Sequence, residues 1–229
     1  MKIIEEQTII QRYVAQYKLD QVFSHPDALP FQLRTYEKDG VVLSEGEKLD
    51  GLYFQVKGRT RVSSSVETGK SLLLRFCHPF AVFGDVELLQ NIVIQSQVEA
   101  TEQTSFLFIN KHKIETELMQ DYKFLHFLLK QLSYKLQTCT TASRVNLLTS
   151  VEERFASYLL TTQDDHLFGK EMFTSYIPDI ASLIGTTPRH LNRVIHKFSE
   201  MNILKKETKK IIVLDWSRLD EYSNGLRYE

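Results

Sequence analysis

Two arginines four positions apart, Arg189 and Arg193, share one face of the amphipathic run "GTTPRHLNRVIHKF" (185–198). In a DNA major groove a guanidinium can pair bidentately with guanine O6 and N7, which discriminates by roughly 1–3 kcal/mol per good pair. Thr187, Pro188 and His190 stand at the start of the same run, where a hydroxyl and a helix N-terminus suit a phosphate. Asn192 and Lys197 follow along it, and Lys209 and Lys210 close the basic stretch "KKETKK". From Tyr176 to Lys210 seven lysines and arginines face three acids, although the whole chain has a net charge of −1. A basic patch inside a neutral chain is the footprint of local phosphate contact. Thr187, Pro188, Arg189, His190, Asn192, Arg193, Lys197, Lys209 and Lys210 are therefore the candidate DNA-contacting residues.

Groups that read base edges need a rigid helix end, and the residues ahead of them supply one. In "YIPDIASLIGTTPRHLNRVIHKF" a first helix is expected over about 177–184, ended by Gly185 in the left-handed conformation. Thr187 can cap the second helix, and Pro188 fits its first position because the missing N–H has no helical partner there. Ala181 is small where two helices must cross closely, and Ile180, Leu191 and Val194 supply an apolar wedge. Tight turn, small crossing residue and wedge together read as a helix-turn-helix. After it, "NILKKETKKIIVL" reads as strand, basic turn and strand, a wing able to lie along phosphates.

The rest of the chain divides by texture. Residues 3 to about 23 show helical spacing and suggest one or two short leading helices. From Phe31 to Phe108, short stretches rich in Val, Leu, Phe and Tyr are punctuated by Gly40, Gly46, Gly51, Gly58, Gly69 and Gly84, the signal for an antiparallel sandwich or barrel. Helix is expected again after Asn110 and after Asp121. There Leu125, Leu129, Leu132, Leu136 and Cys139 step by four and three, the seam of a coiled coil, and are the candidate dimer interface. Phe124, Phe127 and Leu128 lie beside the seam, placed to pack on the barrel. The expected domains are 1–120 (sensor barrel with leading helices), 121–147 (dimerisation helix) and 148–229 (winged helix-turn-helix).

Bulk properties exclude several alternatives. The 229 residues are 42% hydrophobic and 25% charged, an ordinary globular composition with no low-complexity tract. Apolar runs fall far short of a bilayer span, and "MKIIEEQTII" lacks a signal-peptide apolar core, so the chain is expected in the cytoplasm, away from membranes. Cys77 and Cys139 form neither a disulfide framework nor a metal-binding pair and read as buried small apolar residues. The histidines are scattered, with none paired on one strand, and no nucleophile-and-base pairing or phosphate-cradling glycine loop occurs. Neither catalysis nor a metal centre is expected, which disfavours a cupin-like enzyme.

With these parts in order, the chain resembles the Crp/Fnr family of bacterial transcription regulators from about Phe31 to Asp215. "LSEGEKLDGLYFQVKGRTRV" is similar to the family's barrel motif, and "FGDVELL" resembles the opening of its effector-binding cassette. "DIASLIGTTPRHLNRVIHKF" resembles its DNA-binding motif and is the most specific stretch. The resemblance implies an α+β chain: an N-terminal double-stranded β-helix (jelly roll), a long dimerisation helix and a C-terminal winged helix-turn-helix. It further implies a homodimer on a near-palindromic site in double-stranded DNA, with RNA polymerase as a protein partner. Phe83, Gly84, Asp85, Val86, Gln95 and Ser96 are then the candidate effector pocket.

Departures from the family pattern sharpen these expectations. In cyclic-nucleotide-binding members the cassette ends in an Arg-Ser pair whose arginine holds the cyclic phosphate. The matching pair here is Gln95-Ser96, and a neutral amide replaces neither the charge nor the bidentate fork of a guanidinium. cAMP is therefore not the expected effector, no other effector or cofactor is identified, and no cysteine precedes Cys77 to build an iron–sulfur cluster. In the recognition run, the arginine, glutamate and later arginine of the family's cAMP-receptor-type members correspond to Pro188, Arg189 and Arg193, so an operator different from that type's is expected. The alternative function is a cyclic-nucleotide- or other small-molecule-binding regulatory module acting mainly through protein contacts.

Overall fold

A computed structural model describes residues 1–4, 6–69, 71–163, 166–208 and 210–228. They form two compact units, Met1–Gly69 with Cys77–Lys135, and Lys70–Phe76 with Leu136–Glu229. The second is assembled from two stretches of the chain.

In the first unit the strands are β1 (Lys2–Ile4), β2 (Gln32–Tyr36), β3 (Val41–Leu43), β4 (Gly51–Lys57), β5 (Thr60–Ser65), β6 (Ser71–Cys77, most of it grouped with the second unit), β7 (Val82–Phe83), β8 (Gln97–Ala100) and β9 (Thr104–Asn110). The strands lying wholly within this unit build two antiparallel sheets, β1-β2-β9-β4-β7 and β3-β8-β5. Alternation along the strands gives the first sheet two apolar faces. On one, Phe106 packs its ring edge-on to Tyr36, Tyr53 and Phe83. On the other, Phe54 meets Phe23, whose ring stacks on Phe124 at 5.6 Å. Helices α1 (Gln7–Gln16), α2 (Asp85–Gln90) and α3 (Lys111–Thr116) fill the intervals, and Asn110 caps α3 by accepting from the Lys113 amide.

The leading segment differs from the expected helices. Residues 2–4 pair with β2 as a strand before α1 begins, because Ile3 and Ile4 find backbone partners at Arg34 and Leu33. Only tertiary pairing distinguishes that outcome from helix in so short an apolar run.

Helix α4 (Tyr122–Leu148) begins in the first unit and ends in the second. Asp121 caps its start, accepting from the Lys123 amide at 2.9 Å and from the amide and hydroxyl of Ser24. Phe124 and Leu128 are buried, whereas Leu129 and Leu136 are 63% and 70% exposed. Cys77 is buried as expected, but Cys139 is exposed, a correction to its reading as a buried residue. Its seam position turns it away from the chain's own core.

The second unit continues with α5 (Val151–Gln163), α6 (Leu167–Met172), α7 (Ile177–Leu183), α8 (Pro188–Glu200), the hairpin β10 (Leu204–Lys206) and β11 (Ile211–Val213), and α9 (Trp216–Ser223). Phe155, Tyr158 and Phe198 stack in its centre, with Tyr222 against Phe198 at 4.9 Å. A capping box starts α5: the Ser150 amide donates to Glu153 while the Glu153 amide donates to the Ser150 hydroxyl. Residues 71–76 belong here through specific bonds. The Leu73 amide donates to the Ser182 hydroxyl of α7, and Arg75 joins Glu171 of α6 and Thr138 of α4.

Candidate nucleic-acid interface

The apolar spacing of α8 buries one face and clears the other. Leu191, Val194, Ile195 and Phe198 are all at most 3% exposed. Pro188, Arg189, Asn192, Arg193 and His196 lie exposed on the opposite face, with His190 half-buried at its edge. Ile180 and Ala181 of α7 are buried beneath the crossing, as the wedge required.

The turn between the helices follows the expected chemistry. Gly185 has a φ of +62°, and a β-carbon there would stand 3.3 Å from the Arg154 guanidinium. That guanidinium donates through Nη1 to the carbonyls of Ile184 and Gly185. The Asn146 amide donates to the Leu183 carbonyl, and the Tyr228 hydroxyl in turn holds the Asn146 carbonyl oxygen at 2.7 Å. Burial pushes the Tyr228 phenol above its ordinary range, offsetting a nearby Arg154 charge that lowers it, so it remains a donor. Thr187 caps α8 by accepting from the His190 amide at 3.2 Å.

Sequence reasoning missed Arg154, Asn146 and Tyr228. None lies in the turn, and they come together only in the folded unit. Only Asn146, a polar residue between Val145 and Leu147, stands out in the sequence.

The candidate contact residues divide by what holds them. Among the described residues, no hydrogen bond or ion pair occupies the side chains of Arg189 and Arg193. Lys197 instead places Nζ 2.7 and 2.8 Å from the two carboxylate oxygens of Glu152 on α5, and that hydrogen bond holds its pKa above the ordinary lysine range. Asn192 donates to the Pro188 carbonyl and accepts from Lys206 of the wing. Lys210 is exposed beside β11, within 3.5 Å of Glu207, while Lys209 lies outside the described residues.

Of the candidate effector residues, Phe83, Gly84, Asp85 and Val86 form the β7-α2 turn, Gln95 is tied to Glu87 of α2 by its backbone amide, and Ser96 follows it, half-buried, ahead of β8. Gly84 has a φ of +91°, and a β-carbon there would stand 2.7 Å from Leu49. Phe83 and Asp85 are buried, while Val86 and Gln95 are exposed. Lys135 donates to both carboxylate oxygens of Asp85 and to the Val82 carbonyl. The Gln95 amide N–H donates to Glu87, and its side chain donates to the Val93 carbonyl. Lys135 escaped sequence reasoning because its partner lies 50 positions away. Among the described residues, no cluster of three or more His, Cys, Asp or Glu could hold a metal, and no helix is long and apolar enough to cross a membrane.

Comparison with known proteins matches both halves of this architecture. Residues 33–121 match the cyclic nucleotide-binding domain, and residues 153–222 match the Crp-like helix-turn-helix domain. The chain is 23% identical over 178 residues to the regulatory protein YeiL of Escherichia coli O157:H7, covering 78% of this chain and 79% of that protein. It is 26% identical over 187 residues to the cAMP-activated global transcriptional regulator CRP of Haemophilus influenzae, covering 79% and 83%. The structure of FixK2 from Bradyrhizobium japonicum superposes with a TM-score of 0.68 at 20% identity, covering 87% of this chain and 98% of that one.

Proposed function

The chain belongs to the Crp/Fnr family of transcription regulators, and from that premise we propose that it acts as a homodimer presenting two copies of α8 to a near-palindromic operator. It is a Crp-like regulator with a helix-turn-helix DNA-binding domain, not an enzyme. The observation that carries the finer reading is the exposed guanidinium pair of Arg189 and Arg193 on a helix whose other face is buried. Symmetry-related copies of α8 would enter major grooves about 34 Å apart, one helical turn of DNA. The outward leucines of α4, Leu129 at 63% and Leu136 at 70% exposure, supply a surface through which two chains can pair. RNA polymerase is the proposed protein partner, following the family.

We further infer that cAMP is not the effector. Gln95 stands where the phosphate-holding arginine is required, and no arginine occurs in residues 84–100. Calorimetric titration with cAMP and cGMP is expected to give no saturable binding below millimolar. Saturable binding would favour the alternative of a nucleotide-responsive module.

The experiment that tests the main reading is selection of bound duplexes from a random pool, with and without cell extract, beside a sedimentation measurement. A two-fold symmetric consensus bound by a dimer is expected. A protein that is monomeric at micromolar concentration and indifferent to every duplex sinks the reading.

A further inference from the structure

The β7-α2 turn contains a charge pair that neither the helix-turn-helix nor the α4 seam uses. Asp85 opens α2 and is 1% exposed. Lys135 reaches it from α4, with Nζ 2.6 Å from Oδ1, 2.8 Å from Oδ2 and 2.9 Å from the carbonyl oxygen of Val82. Both carboxylate oxygens and a strand-end carbonyl therefore converge on one ammonium. Burying a carboxylate without a partner is costly, so this turn requires a cation that can donate several hydrogen bonds. The neighbouring acid is already used, since the buried Glu87 accepts from the Gln95 amide at 3.0 Å. Among the described residues, the cation found at Asp85 is that of Lys135.

The position of Lys135 on its helix gives the contact a consequence. At about 3.6 residues per turn, Lys135 falls on the same side of α4 as Phe124 and Leu128, while Leu125, Leu129, Leu132 and Leu136 cluster about a quarter turn away. Phe124 and Leu128 are buried in the core of the first unit. Phe124 and Leu128 seat this side of α4 in the core, and the ammonium of Lys135, a point charge on a flexible stem, adds hydrogen bonds to a buried carboxylate on the same side. Holding Lys135 on Asp85 thus reinforces the rotation in which the seam faces away from the core.

We propose that the β7-α2 turn is a binding site for a primary ammonium, filled in this chain by its own Lys135, and that this internal ligand reinforces the rotation of α4 without a small molecule from solution. The consequence for DNA rests on the reading that α4 pairs two chains. Lys135→Ala removes the ammonium and three methylenes, leaving a space that matches n-propylammonium. Lys135→Met fills the same space with an apolar chain.

The test uses the full chain. Lys135→Ala is expected to lower the thermal midpoint, weaken dimerisation and weaken binding to the selected duplex at least 10-fold. Millimolar n-propylammonium should restore all three, whereas a trimethylpropylammonium salt at equal ionic strength should restore none, because it has no N–H to donate. Lys135→Met should be impaired and unresponsive to either amine. Wild-type behaviour of Lys135→Ala, or a folded Lys135→Ala that n-propylammonium leaves unchanged, overturns the proposal. Should the variant fold poorly, the rise of its thermal midpoint with n-propylammonium, absent in wild type, still decides it. If wild type binds no duplex, the functional reading fails by itself, while thermal rescue continues to test the ammonium site.

Discussion

Arg189 and Arg193 differ from the other candidate contacts in what already engages them. Lys197 and Asn192 spend their polar atoms on Glu152, Pro188 and Lys206, so their first effect is on the shape of the reading surface. The two arginines have no such commitment among the described residues. Arg193→Ala is expected to weaken binding to the selected operator about 10- to 100-fold, equivalent to roughly 1–3 kcal/mol, and to relax preference at one base pair. Equal binding by wild type and variant in a gel shift at moderate salt would remove Arg193 from the reading set. A different residue contributes to acid stability. At Asp121 burial raises the pKa, but hydrogen bonds from Ser24, Lys123 and Phe124 outweigh it and hold the carboxyl below the ordinary aspartate range. A lowered folded-state pKa stabilises above the unfolded value of about 3.9 and loses that contribution as pH falls through the folded one. Asp121→Asn should lower the thermal midpoint at pH 7 and flatten its decline in acid. Parallel melting curves for variant and wild type between pH 7 and pH 3 would contradict this.

The turn joining α7 to α8 is an element whose local chemistry is nearly complete in the sequence. Gly185 holds a φ of +62°, so Gly185→Ala would force a side chain into left-handed backbone and move it against Arg154. The expected cost is about 1–2 kcal/mol, read as a lowered unfolding midpoint. An unchanged midpoint would mean the turn relaxes freely. The helix pair, the Thr187 cap and the helix α4 were legible because each depends on residues within about two turns of one another. What stayed hidden depends on distance along the chain. Nothing near Ile3 announces that Arg34 will be its strand partner, and nothing near Lys135 announces Asp85. Helix α6 was overlooked for a related reason: six residues, "LFGKEM", are too few to display a helical period. The same limit applies to the site itself. Sequence reasoning found the face of α8 that meets solvent, but not the Arg154, Asn146 and Tyr228 bonds that brace the turn before it.

At the scale of the molecule, the proposed pairing surface is the outward face of α4. Leu129 and Leu136 are mostly exposed in the single chain, so a charged substitution there should leave its fold intact. Leu129→Glu with Leu136→Glu is expected to give a monomer with an unchanged circular dichroism spectrum and no high-affinity operator binding. A variant that still sediments as a dimer would relocate the pairing surface. The composition of the second unit matters in another way. Its helices are completed by a strand borrowed from the first third of the chain, since Leu73 supplies an amide to Ser182 and Arg75 supplies a cation to the buried Glu171. A fragment beginning at residue 148 would inherit every reading residue and neither of those donors. It should therefore melt well below the intact protein, because two bonds that brace α6 and α7 come from residues 73 and 75.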